Sequence, residues 1–525
     1  MARNGKDNCV SRRSFLSRSA TMLAAGAILP VLPGVARSGE PRSRSDGIHP
    51  QAPSLAVPER RSINGSYASA IAGDMRAAVR AMMALPPEDP RNWYRQAIIH
   101  VLDCPHANGW FFPWHRGYLY WFECIARKLT QNPNFALPYW DVTAFPEMSS
   151  LFFKEDLLDT SAPGYIHDLD TFHRMFNEPL KTYWQGLNTL QLQQLQRRGF
   201  TNFDQFWAQL VFLISRNTSR TLTAANRQLS PAAQDAVSKA TLINSLAPQM
   251  FFDFGGALVE HHSVMSGEGG LLESQLHNTV HDAVGGYMGD FLSATDPVFW
   301  LHHGNIDRIW DVWLERQGLV GQDGPAQWRN EQFLFFCDED GRAVNGIAGD
   351  YVSSAELGYS FQPSAPIEEA PTRPPNAPWP ARYACQLESD SLPIDGAVLA
   401  KVSPGGAACD AFRNNYQSAV VVELDRPDFP ASMRFQIEIR VVGGAPYSFK
   451  HCGYATFFGS MGYRSPGQPP HAGSLTIGVS SGLQECLKEA GAGALDLEIA
   501  LRLRNSGGGA SSPPLKVRRI SLVSL

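Results

Sequence analysis

"DPVFWLHHGNIDRIW", residues 296–310, sets two adjacent histidines, His302 and His303, in an aromatic run with helical spacing. Asp307 and Arg308 follow four residues after the second of them. Histidine is only intermediate in its preference for the interior, so a pair among Phe299, Trp300, Ile306 and Trp310 needs hydrogen-bond or metal partners.

Other segments offer those partners. His277 and His281, in "HNTVHD", lie four apart, which on a helix puts both imidazoles on one face with Cβ atoms about 5–6 Å apart. The helix at 296–310 can add a third ligand, one histidine pointing inward and its neighbour turned by about 100°. His100, His106 and His115 form a second cluster. Two satisfied core histidines remain an alternative reading of "HNTVH" alone. A zinc protease would carry a glutamate where this chain has Asn278, and a di-iron bundle would need Glu-x-x-His pairs, which these clusters lack. Two sets of three neutral imidazoles suit copper.

These segments resemble the paired copper sites of the tyrosinase and polyphenol oxidase family. "HANGWFFPWHRGYLYWFE", with Glu123 eight residues beyond its second histidine, carries one half of the resemblance. "HNTVHDAVGGYMGDF" with "DPVFWLHHGNIDRIW" carries the other, and the likeness extends over about residues 55–362 to the "LGYSF" run. It implies a four-helix bundle in a mainly α catalytic domain, with one copper on His100, His106 and His115 and another on His277, His281 and His303. His302 would then support the ligands from behind, and Asp307 would orient a ligand imidazole or, alternatively, pair with Arg308. Cys104, two residues before His106, fits the thioether that some relatives form to that ring, with an ordinary buried thiol as the alternative.

The implied reaction is oxidation of small phenols by dioxygen: ortho-hydroxylation of monophenols and conversion of ortho-diphenols to ortho-quinones. Glu273, or alternatively Glu268, would hold a water with Asn278 as the base for monophenols. Phe291 matches a gate over the second copper in some catechol oxidases, which keeps a diphenol-only enzyme in view. A haemocyanin-like oxygen carrier is a further alternative, disfavoured by the single copper domain and the Glu273 and Asn278 pair.

Outside that region, Ser11-Arg12-Arg13-Ser14-Phe15-Leu16 and a short apolar stretch read as a twin-arginine export signal over residues 1–40, hence a periplasmic or secreted protein. Seven cysteines follow it, so one at least is left out of any pairing. With 45 basic against 50 acidic residues and no basic run interleaved with aromatics, nothing points to nucleic acid. No stretch reaches the roughly 18 uninterrupted apolar residues of a membrane span. Helical periodicity marks 68–85, 117–130, 190–215 and 299–316. A Pro-rich linker at 363–380 leads to 381–525, where short alternating runs such as "MRFQIEIRVVGG" predict an antiparallel β-sandwich. That part resembles, weakly, the lid of latent polyphenol oxidases, in which Phe457 or Phe458 would plug the pocket. Besides phenols, a copper chaperone and further copies of the chain are candidate partners.

Overall fold

The computed structural model of the protein describes residues 42–43, 57–363 and 381–525, apart from 155, 217–218, 266, 319–323, 415–416, 428–432, 443–446, 460–470, 494 and 506–513. The export segment at 1–40 and the linker after residue 363 lie outside the described residues.

The first part is mainly helical. Helix α1 (Ala68–Met83) buries Ala72, Met75, Val79 and Met82 along one stripe and packs on α3 (Phe111–Thr130). Between them α2 (Trp93–Asp103) starts on the Asn92 side chain, which accepts from the Tyr94 and Arg95 N–H groups. A π-helical turn, Leu272–His277, runs into α4 (Asn278–Val284); such turns are frequent at functional sites because they rotate side chains out of the α register. Helix α5 (Pro297–Gln317) begins on Asp296, which caps Val298 N–H and is itself held by Arg220. From Pro297 to Trp310 every residue of α5 is buried, as in a helix enclosed on all sides.

The run predicted over 190–215 is two helices, Thr189–Arg197 and Phe203–Ser215. Gly199 turns the chain at φ +98° and Asn202 caps the second helix on Gln205 N–H, so the continuous periodicity hides a break.

The second part is two antiparallel sheets. One has the order β5 (Ala472–Gly478), β2 (Ser418–Asp425), β7 (Leu515–Ser524); the other runs β4 (Lys450–Ala455), β3 (Met433–Val442), β6 (Asp496–Asn505), β1 (Ala397–Val402). Val420 pairs with both Leu522 and Ile477, and Ile437 faces Leu501. Alternation places Phe435, Ile437, Ile439 and Val441 between the sheets.

Strand β5 is buried on both faces because its outer face meets the helical part. Ser474 and Thr476 hydroxyls donate to the Gly267 and Gly269 carbonyls, at 3.1 and 2.9 Å. From the π turn, Gln275 donates to Tyr454 O (3.0 Å) and accepts from Gly478 N–H (2.9 Å), tying β4 and β5 to the metal-site helix. The two hydrophobic cores divide at consecutive residues: Phe457 belongs to the sandwich core and Phe458 to the helical one.

Candidate metal centre

His100 comes from α2, His106 from the loop after it, and His115 from α3; His277 ends the π turn, His281 lies on α4 and His303 on α5. All six are buried, and they fall into two triads whose donor atoms each lie within 4.8 Å of one another. His100 and His115 bring Nε2 atoms to 3.4 Å. Across the site, His303 Nε2 lies 3.3 Å from His277 Nε2 and 3.2 Å from His281 Nε2. The triads face each other, with the His115 and His303 rings stacked at 4.3 Å and 13°.

Backbone and side-chain oxygens set the tautomers. His100 Nδ1 donates to Phe291 O, His115 Nδ1 to Phe111 O, His281 Nδ1 to Met288 O and His277 Nδ1 to Asn278 Oδ1, all at 2.6–2.9 Å. Each Nε2 is therefore a bare lone pair. Burial drives all six imidazoles below their ordinary range, His100 and His277 to about 3, so none carries charge at neutral pH. Converging neutral lone pairs repel unless an ion sits between them, and the buried His106 Nε2 has no hydrogen-bond partner. The donor set fits two copper ions.

Residues 80–316 match the family model for the common central domain of tyrosinase. Residues 80–316 of the chain therefore form a tyrosinase-type central domain, the domain of the tyrosinase and polyphenol oxidase family. Proteins of this family work with a binuclear copper centre and dioxygen, and the two triads would hold that pair here. Polyphenol oxidase II of Ipomoea batatas is 28% identical over 67% of this chain and 54% of its own length. Tyrosinase HcTyr1 of Hahella sp. (strain CCB-MM4) is 29% identical over 60% of this chain and 66% of its own. The chain spans about half the length of several of its curated relatives. In fold, a latent aurone synthase (polyphenol oxidase) superposes with a TM-score of 0.58 over 90% of this chain and 91% of that one at 21% identity. A latent apple tyrosinase gives 0.52 over 90% and 98% at 18%. Both superpositions extend well past the central domain.

Around this tyrosinase-type centre, Glu273 is buried on the π turn; its Oε1 accepts from Ala107 N–H (2.7 Å) and Oε2 has no partner. Burial pushes its carboxyl up to about 8, against the Ala107 N–H and the Arg426 charge. Glu268, the alternative, instead pairs with Arg382 at the surface. Asn278 uses its oxygen on His277 and donates Nδ2 to Thr456 O (2.9 Å), a carbonyl just beyond β4. Cys104 Sγ lies 3.4 Å from His106 Nδ1 and is free.

Three expectations change. The Phe291 ring lies against the first triad, at 5.8 Å from His106 and 6.3 Å from His100, not over the second, because its carbonyl is tied to His100. Asp307 gives none of its hydrogen bonds to an imidazole: its oxygens accept from Arg60 (2.6 Å), Arg116 (2.5 Å) and Tyr359 (2.6 Å). Arg308 pairs elsewhere, with Asp141. Of the two plug candidates, Phe457 packs inside the sandwich, and only Phe458 enters the site, 4.3 Å from the His281 ring, 4.8 Å from His106 and 5.3 Å from Phe291. His302 stacks on His277 at 5.2 Å, behind the second triad.

Several supporting residues gave no sequence signal. Arg198 donates to Val101 O and Cys104 O, capping α2, and to Cys104 Sγ at 3.1 Å. Buried Arg60 bridges Glu123 and Asp307, so it ties α3 to α5. His261, His262 and Glu331 also approach as a metal site would. Yet His262 spends Nδ1 on Glu331 (2.7 Å) and Nε2 on Asp103 (2.8 Å), while His261 Nδ1 accepts from Ser263 N–H. That cluster is an ion network bracing Asp103, which also accepts from Trp114 Nε1 (2.8 Å).

Proposed function

We propose that the chain is a latent phenol oxidase that ortho-hydroxylates monophenols and oxidises ortho-diphenols to ortho-quinones. The observation that carries this reading is the pair of facing triads with the Phe458 ring set among them, an aromatic ring where a phenol would bind. When bound, the copper pair supplies the electron transfer to dioxygen. The chain's own residues do the rest. Stacked histidine and phenylalanine rings hold a planar ring and keep water out. In its ionised fraction, which grows as pH rises toward 8, Glu273 accepts the phenol's proton on its free oxygen through a water shared with the Asn278 amide.

In the closed chain that amide is taken by Thr456 O. The C-terminal sheets therefore block substrate with Phe458 and occupy the water's donor at the same time. Cutting the linker at 363–380 frees both. Export by the twin-arginine route and a Cys104–His106 thioether belong to the same reading, the latter favoured by the 3.4 Å approach.

A diphenol-only oxidase is the second reading, favoured by the bulk of Phe291 beside the first triad. Oxygen uptake by copper-loaded, linker-cleaved protein separates the two: turnover of a monophenol and its diphenol supports the first reading, and turnover of the diphenol alone supports the second. No uptake with either overturns both.

A further inference from the structure

Arg426, just past β2, is buried, yet no carboxylate shares a hydrogen bond with it among the described contacts. One guanidinium nitrogen, Nη2, donates to both Phe458 O and Gly459 O (2.7 Å for the second), and Nε has no partner. Its own backbone N–H is fixed on His471 O (2.8 Å), and the Phe457 ring centroid lies 5.3 Å from its guanidinium carbon. The acidic groups whose charge reaches it, Asp290 and Glu273, both belong to the helical part. An enclosed cation held mainly by two carbonyls is costly unless the arrangement serves something, because breaking such contacts strands a buried charge.

The carbonyls it holds identify that service. They are the carbonyls of Phe458, whose ring reaches the histidines, and of the residue after it, and the turn has no slack: Gly459 sits at φ +74°, and a Cβ there would come within 2.7 Å of the Phe291 ring. We propose that Arg426 is the latch of the closed state, gripping the Phe458–Gly459 turn so that the plug stays among the metal-site histidines. This rests on the reading of Phe458 as a plug and adds the residue that holds it. Arg426, Phe458 and Gly459 all lie in the C-terminal part, so release of the sheets carries the gripped turn away with them and breaks no covalent bond or hydrogen-bonded ion pair at Arg426.

The test uses the full-length, copper-loaded chain with Arg426→Met, which keeps bulk and removes the donor, and Arg426→Lys, which keeps a charged donor. Hydrogen exchange of the amides at 453–459 reads the latch without turnover. Oxygen uptake with an ortho-diphenol reads its consequence, with linker-cleaved wild type as the fully open reference. The methionine variant is expected to exchange at least tenfold faster there and to raise intact-chain uptake at least tenfold; the lysine variant should stay within about threefold of wild type in both. Arg426→Leu, equally without a donor, is held to the methionine outcomes should the latter not fold. Unchanged exchange in the donor-less variant, or equal opening by lysine and methionine, overturns the latch. Faster exchange with no uptake even from cleaved wild type leaves the latch standing and overturns the oxidase reading instead.

Discussion

At the scale of single residues, the triads and their neighbours make distinct demands. Glu273 is buried with one free oxygen, so Glu273→Gln, which keeps the shape and loses the base, should lower monophenol hydroxylation about 100-fold and leave diphenol oxidation within about twofold. Initial rates on the two substrates with cleaved enzyme check this, and an equal loss on both would assign Glu273 a structural task. His262 carries a pH signature. Burial opposes its charge, but Asp103 and Glu331 prevail and raise it from 6.5 to about 9. The imidazolium's contribution is therefore full below about pH 6.5 and is lost as pH rises through 9, on the order of 3 kcal/mol. Thermal melts between pH 6 and 10 should show that decline in wild type and a flatter profile in His262→Gln. The two histidine clusters were legible in the sequence, with 277 and 281 spaced to share one helix face, while the choice of His303 over its neighbour His302 came from the family resemblance. Nothing in the sequence tells His262 or Arg198 from any other polar side chain, since their partners come from distant segments.

Among elements, α3 and α5 are joined through Arg60, whose guanidinium meets Glu123 at 2.9 Å and Asp307 at 2.6 Å with all three side chains buried. The family resemblance implied that Asp307, the acidic residue after the last ligand, orients an imidazole. The structure turns it to the opposite task, anchoring Arg60, Arg116 and Tyr359 of the "LGYSF" run. Glu123→Gln leaves Arg60 to share the single buried carboxylate of Asp307 with Arg116, and should destabilise the protein by about 3–5 kcal/mol, read by denaturant unfolding. A loss below 1 kcal/mol would show the network to be dispensable. Gly459→Ala acts at another junction, where left-handed φ and the Phe291 ring both refuse a side chain. Intact Gly459→Ala should therefore oxidise diphenol at least tenfold faster than intact wild type. Helix periodicity gave α1, α3 and α5 closely, and it missed the break at 198–202, because apolar spacing continues through a turn made by one glycine and one cap.

For the whole molecule, composition and pattern were enough to separate a helical part from antiparallel sheets, since a period near 3.6 gives way to a period of 2 on either side of a Pro-rich tract. How the two parts meet was not legible. The contacts that join them, Gln275 with Tyr454 and Gly478, Asn278 with Thr456, and Thr476 with Gly269, pair residues 178 to 207 positions apart and use groups common on any surface. The choice of Phe458 over Phe457 turns on one step along the segment that follows β4, which decides which ring faces the sandwich core and which leaves it.

The central claim is that two buried triads form a phenol-oxidising copper pair that Phe458 covers. The most direct measurement is diphenol-dependent oxygen uptake by the intact chain loaded with two copper ions, wild type against Phe458→Ala. The account predicts little uptake by wild type and at least tenfold more from the variant, approaching the linker-cleaved protein. An intact Phe458→Ala chain that holds two copper ions, stays folded and is no more active than wild type, while cleavage activates both, would contradict it.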